Sequence, residues 1–180
     1  MNMTSAMTEM LTQYLHYHMW ANQRLFEVLD ALTPEEYRLD LGGSYGSIQG
    51  TAIHLYGTEY IWLSRIDGHS PDRLFDEQDY PDWPQLKKDW MAGFEQIEAL
   101  IQKLDEKMAV EKVTYHTTTG KKYSQPTWEL IVHMVNHGSY HRGQIINMVR
   151  QLETRRHHSS IRHEQRFNIQ PMDFMVYCRQ

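Results

Sequence analysis

Four long segments of the chain repeat their apolar residues at alternating steps of four and three, and this pattern constrains the fold most strongly. Side chains at these steps lie on one face of an α-helix, and a helix with such a stripe has to bury it against other elements. The segments span about residues 4–32, 47–68, 84–108 and 126–153. Four such helices in one chain predict an all-α fold, a four-helix bundle.

Shorter patterns describe the connections between these helices. Thr33 and Glu36 have the spacing of a capping box, which predicts a short helical turn after the first helix. Residues 68–84 are rich in acids and prolines, and we interpret them as a solvated loop rather than an acidic metal site. Alternation around Thr119 and Gly120 predicts a small β-hairpin. The apolar tail "MDFMVYC" is expected to dock as a strand or an extended piece.

The composition is that of an ordinary globular protein and narrows the classes of function. Of the 180 residues, 18 are Lys or Arg and 23 are Asp or Glu, so the net charge is -5 with neutral histidines. Nucleic-acid binding needs a basic face and is therefore not expected. The single cysteine, Cys178, cannot form an internal disulfide, and neither a signal peptide nor a membrane span is recognisable. We expect one domain over residues 1–180, located in the cytoplasm.

The fourth helix carries imidazoles where apolar side chains belong. Its inward stripe reads Leu130, Met134, His137, His141, Ile145 (or Gln144), Met148 and Leu152. His137 and His141 are one turn apart, with Cβ atoms about 6 Å from each other, so both rings can bind one metal ion. His133 is about 80° around the helix from His141, because each step of four rotates by about 40°, and we expect it to be a supporting or partly exposed residue.

Two histidines are too few for a tight metal site, so a third ligand is expected from another helix. His54 lies on a flank of the second helix that faces a neighbouring helix, and it is the first choice. His18 lies on the inward stripe of the first helix and is the second choice. The alternative is that these are core histidines whose nitrogens are hydrogen bonded within the protein. Imidazole ligands suit zinc, nickel, copper or iron, so spacing does not select the metal.

Three stretches of the sequence resemble one known family, the DinB/YfiT-like proteins. The most specific is "HMVNHGSYHRGQI", which is similar to the N-H-x-x-x-H-R-G-Q run on a late helix of that family. The stretch "SIQGTAIHLYGTEYIWLSRIDG" resembles the earlier helix of the family, and "QPMDFMVYCR" resembles its C-terminal end. The stretches occur in the expected order, and the resemblance covers nearly the whole chain.

The resemblance implies properties that periodicity does not show. It implies an up-down-down-up four-helix bundle with a small β-hairpin appendage, which typically forms a homodimer. It also implies a divalent metal ion, nickel or zinc, held by three histidines, which correspond here to His54, His137 and His141. Relatives of known activity include thiol S-transferases that use low-molecular-weight thiols such as bacillithiol, and metal-dependent isomerases and hydrolases.

Our leading hypothesis is therefore a metal-dependent transferase, similar to thiol S-transferases, or a hydrolase that acts on a small molecule. Tyr140 and Arg142 are the candidates for orienting an anionic cosubstrate, although Arg142 suits an inter-helix salt bridge equally well. Gln144 is placed to hold the second nitrogen of a ligand, and Gly143 is expected to allow close helix approach. The alternative is a non-enzymatic dimer, a stress-response or binding protein with a structural or vestigial metal site. Residues 155–166 hold several arginines and histidines and read as a basic, solvated segment.

Overall fold

A computed structural model describes residues 3–158 and 167–180 of the chain. The elements are α1 (Met3–Asp30), α2 (Pro34–Arg38), α3 (Ile48–Ile66), α4 (Trp83–Lys103), α5 (Glu106–Val110), β1 (Lys112–His116), β2 (Lys122–Pro126), α6 (Thr127–His158) and α7 (Phe174–Tyr177). Most of the predicted basic segment, residues 159–166, lies outside the described residues.

The four long helices pack as a bundle with two layers of core. One layer joins the C-terminal half of α1, the N-terminal halves of α3 and α4, and the C-terminal half of α6. The other layer joins the opposite halves of the same helices. The helices α1 and α6 therefore run in one direction and α3 and α4 in the other. This is the up-down-down-up bundle, and the expectation is confirmed.

Helix starts follow the local chemistry of the chain. Thr33 accepts a hydrogen bond from the backbone N–H of Glu36, whose carboxylate accepts one from the Thr33 N–H, so the predicted capping box is present. Ser47 caps α3 through the N–H of Gly50, and Asp82 caps α4 through the N–H of Gln85. These side chains satisfy N–H groups that a helix start leaves without partners, and they set where each helix begins.

The third long helix is shorter than predicted. The periodicity predicted helix to residue 108, but α4 ends at Lys103 and Leu104 is extended. The Asp105 side chain accepts a hydrogen bond from the N–H of Met108 and starts the short helix α5. An aspartate at this position favours a new helix start over continuation, because its side chain competes for backbone N–H groups.

The hairpin is confirmed, whereas the tail, which was expected to dock as a strand or an extended piece, forms no strand and contains a helical turn. Strands β1 and β2 pair antiparallel, and Gly120 takes a φ of 80° in the turn between them. The tail runs without regular structure from residue 167 and ends in α7, because Asp173 caps a helical turn through the N–H of Val176. Phe174 packs edge-on against Tyr17 of α1. No helix in the described part of the chain is both long and apolar enough to cross a membrane.

Candidate metal centre

Three histidines from two helices converge at one side of the bundle. His137 and His141 lie one turn apart on α6, and His54 lies on α3, which packs directly against α6. Nitrogen atoms of the three rings all lie within 4.8 Å of one another, and Nε2 of His54 is 3.1 Å from Nε2 of His137. The structure thus brings together the three residues that the sequence suggested as ligands; that they bind an ion remains a prediction.

The spacing of the nitrogens fits a shared ion. Two imidazole nitrogens bound to one ion at about 2.0–2.1 Å, with an angle of about 90–110° between the bonds, are separated by about 2.9–3.4 Å. The 3.1 Å between the rings of His54 and His137 falls in this range. On His141, Nδ1 donates to Oε1 of Gln144 at 2.7 Å, so its Nε2 keeps a free lone pair. Gln144 thus holds the second nitrogen of a candidate ligand, which is the role expected from sequence.

The surroundings of all three rings lower their pKa values and so favour the neutral form, which metal binding requires. Burial, together with the neighbouring His141, lowers the pKa of His54 to about 4. Burial and the adjacent histidines lower the pKa of His137 to about 3. Burial also lowers the pKa of His141, although its bond to Gln144 acts in the opposite direction. Near neutral pH the cluster therefore presents uncharged nitrogen donors to a cation.

Tyr45 contacts the cluster and was missed from sequence. Its hydroxyl group donates to Nε2 of His54 at 2.9 Å, and its ring stacks on the His54 ring with 4.1 Å between centroids. The loop before α3 brings Tyr45 there, with Gly43 and Gly46 at positive φ. Gly50 has to lack a side chain, because a Cβ there would overlap the carbonyl oxygen of Tyr45. The available signal was an aromatic residue among glycines, just before a helix that carries a candidate ligand.

A cleft of about 260 Å³ lies beside His54. Tyr45 lines it together with Leu74 and Phe75, and Asp76 and Glu77 stand at its edge. The cleft therefore combines an apolar wall with acidic side chains, next to one of the three candidate ligands. Such a cleft gives a small molecule room beside His54.

His18, the second choice as a ligand, belongs to a different set of contacts. Its Nε2–H donates to Glu59 Oε2 at 2.7 Å, and the same oxygen accepts from Asn22 at 3.0 Å and from Trp90 at 3.1 Å. Arg142 Nη1 donates to Asn22 Oδ1 at 2.8 Å and to His18 Nδ1 at 3.3 Å. We call these five residues the His18 network. Sequence reasoning placed His18 on an inward stripe and offered an inter-helix salt bridge for Arg142, but it did not find the network.

The remaining candidates lie around these two groups. His133 is exposed, and its ring contacts Trp62 edge-on at 4.9 Å between centroids, so it is outside the cluster. Tyr140 is 64% exposed, and Arg142 is 2% exposed inside the His18 network. Roles for Tyr140 and Arg142 in orienting a cosubstrate remain predictions. The close approach between helices that was expected at Gly143 occurs at Gly138, where α6 meets α1. A Cβ at Gly138 would lie 2.5 Å from His18, whereas a Cβ at Gly143 would meet nothing within 4 Å.

The fold and the cluster together fit the class of metal-binding helical-bundle proteins. The model of the DinB family matches residues 4–157, most of the chain, and the chain therefore belongs to the DinB family. This confirms the family suggested by the three sequence stretches.

Individual relatives agree with this assignment. Protein DinB of Bacillus subtilis (strain 168) is 26% identical over 155 residues, which cover 81% of this chain and 87% of that protein. The crystal structure of a DinB-like protein from Bacillus cereus is similar with a TM-score of 0.55 and 20% identity, covering 78% of this chain and 91% of that one. At this identity the likeness to the solved structure shows the fold alone.

Proposed function

We propose that the protein is a metal-dependent enzyme in which His54, His137 and His141 hold a divalent ion. The observation that carries the proposal is the convergence of nitrogen atoms from three histidines within 4.8 Å of one another, with a cleft beside His54. Among the described residues, no cysteine, aspartate, glutamate or further histidine joins this group. Three protein ligands with open positions are typical of catalytic zinc, whereas structural zinc is usually held by four.

The ion we propose is zinc or nickel, as the family resemblance implies, since imidazole donors suit both. An ion held by the three histidines would supply a Lewis acid that lowers the pKa of a water or thiol in contact with it. Gln144 fixes the ring of His141, and Tyr45 has a hydroxyl group at the point where the donor atoms converge. Leu74 and Phe75 offer apolar contacts to a substrate in the cleft.

The reaction class that follows is transfer of an electrophilic group to a thiol or to water. Among the described residues, those that line the cleft include Asp76 and Glu77 and no Lys or Arg, and the guanidinium group of Arg142 is buried elsewhere. A neutral or cationic substrate therefore fits this cleft better than a strongly anionic one, because like charges at the edge would repel an anion. The small-molecule partner we propose is accordingly an uncharged or cationic electrophile, with a low-molecular-weight thiol or water as the nucleophile.

A reporter reaction with paired variants tests the proposal. Protein loaded with Zn²⁺ or Ni²⁺ is given p-nitrophenyl acetate, with and without a panel of small thiols, and release of p-nitrophenolate is followed. We expect metal-dependent turnover in the wild type and in His133→Ala, and none in the triple variant with His54, His137 and His141 each changed to Ala. Acceleration that requires a thiol indicates transfer, and acceleration without thiol indicates hydrolysis.

Two results would contradict this function. Equal metal content in the triple variant and the wild type, measured on protein purified without an affinity tag, would show that the site is wrong. Metal binding without turnover for any nucleophile would favour the alternative, a non-enzymatic binding or stress-response protein. The homodimer remains a separate proposal, which light scattering of the purified protein tests.

A further inference from the structure

A second cavity lies between α3, α4 and the loop that joins them; it shares Phe75 with the cleft beside His54, but none of the three histidines lines it. Its volume is about 290 Å³, near the lower limit for ligand pockets, so a small molecule fits it. Its lining combines aromatic rings and carboxylates, from Tyr56, Tyr60, Phe75, Tyr80, Glu59 and Asp89. We call this cavity the aromatic recess. It borders a larger groove of about 790 Å³ and shares Tyr60, Leu63 and Gln96 with it.

The carboxylate of Glu59 is paired on one side only. Its Oε2 accepts three hydrogen bonds, from His18, Asn22 and Trp90. Its Oε1 is buried and has no hydrogen-bond partner among the described residues. The residue as a whole is only 2% exposed, so bulk water does not replace the missing partner. A buried carboxylate oxygen without a hydrogen-bond donor costs free energy, and this cost is larger than for a neutral acceptor. The unpaired oxygen therefore identifies a position at which a donor group would be stabilised.

Gly93 shows that the unpaired oxygen lies at the aromatic recess. Gly93 on α4 lines the recess, and a Cβ at this position would lie 3.9 Å from Oε1 of Glu59 and 3.8 Å from Cε2 of Tyr56. The missing side chain thus leaves open the space between the carboxylate oxygen and the tyrosine ring. An alanine would enter this space at ordinary van der Waals distance, without forcing the helices apart.

The charge of the lining selects the kind of donor. Asp89 is a second carboxylate in the wall, held by hydrogen bonds from Tyr80 at 3.3 Å and Gln85 at 3.1 Å. Among the described residues, no Lys or Arg lines the recess. Aromatic faces attract cations, and two carboxylates add to this attraction. A group that is cationic and also carries N–H donors satisfies both features, whereas a quaternary ammonium would leave Oε1 without a hydrogen bond.

We propose that the aromatic recess is a binding site for a small protonated amine, whose ammonium group donates to Oε1 of Glu59 and whose alkyl part lies among the tyrosine rings. None of the three histidines lines the recess, whose lining comes from other residues of α3, from α4 and from their connecting loop. The proposal therefore does not rest on the catalytic function proposed above.

Titration of the metal-free full chain with n-butylammonium chloride tests the proposal. The indole N–H of Trp90 donates to the same carboxylate, so its NMR signal, assigned with Trp90→Phe, reports on the site. We expect a saturable shift of that signal with n-butylammonium and at least tenfold weaker binding of 1-butanol, which has the same shape without charge. Sodium chloride at matched concentration is the control for ionic strength, and chelator keeps metal ions away from the amine.

Two glycine variants make the test specific. Gly93→Ala narrows the recess, and we expect it to weaken n-butylammonium binding at least fivefold. Gly143→Ala is the matched control, since Gly143 also lies within a long helix and a Cβ there would meet nothing within 4 Å. Glu59→Gln keeps the shape and removes the charge, and we expect it to abolish preference for the amine over the alcohol.

Several results would overturn the proposal. Equal affinity for amine and alcohol would show that charge plays no part, and equal binding by Gly93→Ala and wild type would place the amine elsewhere. Binding that disappears when the three candidate metal ligands are changed to Ala, but survives in Gly93→Ala, would assign the amine to the histidine cluster. Absence of a saturable shift at any concentration up to the solubility limit would refute the site. If Glu59→Gln fails to fold, the two glycine variants still decide the outcome.

Discussion

The bundle contains two groups of inward-facing histidines with different partners. In the His18 network, both ring nitrogens of His18 are paired within the protein, one donating to Glu59 and one accepting from Arg142. In the three-histidine cluster, Nε2 atoms of two rings face each other at 3.1 Å, and the cluster contains no carboxylate. The ring of His18 is thus fully paired within the protein, whereas the cluster brings nitrogen atoms of three rings within 4.8 Å of one another, a spacing that suits a shared cation.

Burial alone therefore does not determine whether a histidine is hydrogen bonded within the protein or available to a metal ion. Burial lowers the pKa of His18 even though Glu59 acts to raise it, and burial likewise lowers the pKa of His137. Burial thus favours the neutral form of both rings, yet His18, unlike His137, has a carboxylate and a guanidinium group opposite its ring. The difference comes from the residue on the opposite helix. His18 on α1 meets Glu59 on α3, whereas His137 on α6 meets His54 on α3.

The largest effect is expected from breaking the His18 network. Arg142→Ala removes the buried guanidinium group that balances Glu59 through Asn22 and His18, so the carboxylate stays buried without a compensating cation. Removal of one member of a buried charge pair costs about 3–5 kcal/mol. We expect a loss of this size in the free energy of unfolding of the metal-free protein, measured by urea denaturation.

Arg150→Ala is the matched control for this prediction. Arg150 lies on the same helix α6 but is exposed, so its replacement is expected to change the free energy of unfolding by less than about 0.5 kcal/mol. Equal, small losses in the two variants would mean that the network does not stabilise the bundle.

The second effect concerns metal affinity rather than stability. His137→Ala removes one of three nitrogen donors, and we expect the affinity for Zn²⁺ to fall more than about 100-fold, since loss of a group that merely orients a ligand already costs about 10–100-fold. His133→Ala, one turn away and exposed, is expected to leave the affinity unchanged. Competition with a chromophoric chelator measures both. A comparable loss in His133→Ala would bring His133 into the ligand set.

The sequence predicted the positions of the long helices and the inward faces of α6 and α1, because these depend on local periodicity. Leu130, His141 and Leu152 are all buried, as the steps of four and three require. His54, and not His18, lies beside His137 and His141, as predicted with the support of the family resemblance. That His54 binds an ion remains a prediction. Periodicity ranks residues by burial and cannot tell which helix stands opposite.

What the sequence did not predict depends on contacts between distant segments. The partners of Glu59 on α3 come from α1 and α4, 31 to 41 residues away along the chain. The end of α4 was missed because the capping effect of Asp105 competes with the continuing apolar pattern. Tyr45 was missed because loop geometry sets its position, and loops have no periodicity from which to derive a direction.

The smallest effect is expected at Tyr45, whose hydroxyl group contacts the three-histidine cluster. In the structure its hydroxyl group donates to Nε2 of His54, so the lone pair of that nitrogen is occupied by a protein donor. The lone pair of His18 Nδ1 is likewise occupied, by Arg142. A metal ion must break the hydrogen bond from Tyr45 to His54 before it binds. Tyr45→Phe keeps the ring stacked on His54 and removes the competing donor, which is worth about 0.5–1.5 kcal/mol.

We therefore expect Tyr45→Phe to raise the affinity for Zn²⁺ by about two- to 13-fold, the fold-change that corresponds to this free energy. Tyr140→Phe is the control, because Tyr140 also lies edge-on to a ring of the cluster, at 5.0 Å from that of His141, but is exposed on α6. Chelator competition at fixed pH compares the variants with the wild type. A weaker affinity in Tyr45→Phe would reverse the interpretation. The hydroxyl group would then stabilise the metal-loaded site, and Tyr45 would belong with the ligands rather than with their competitors.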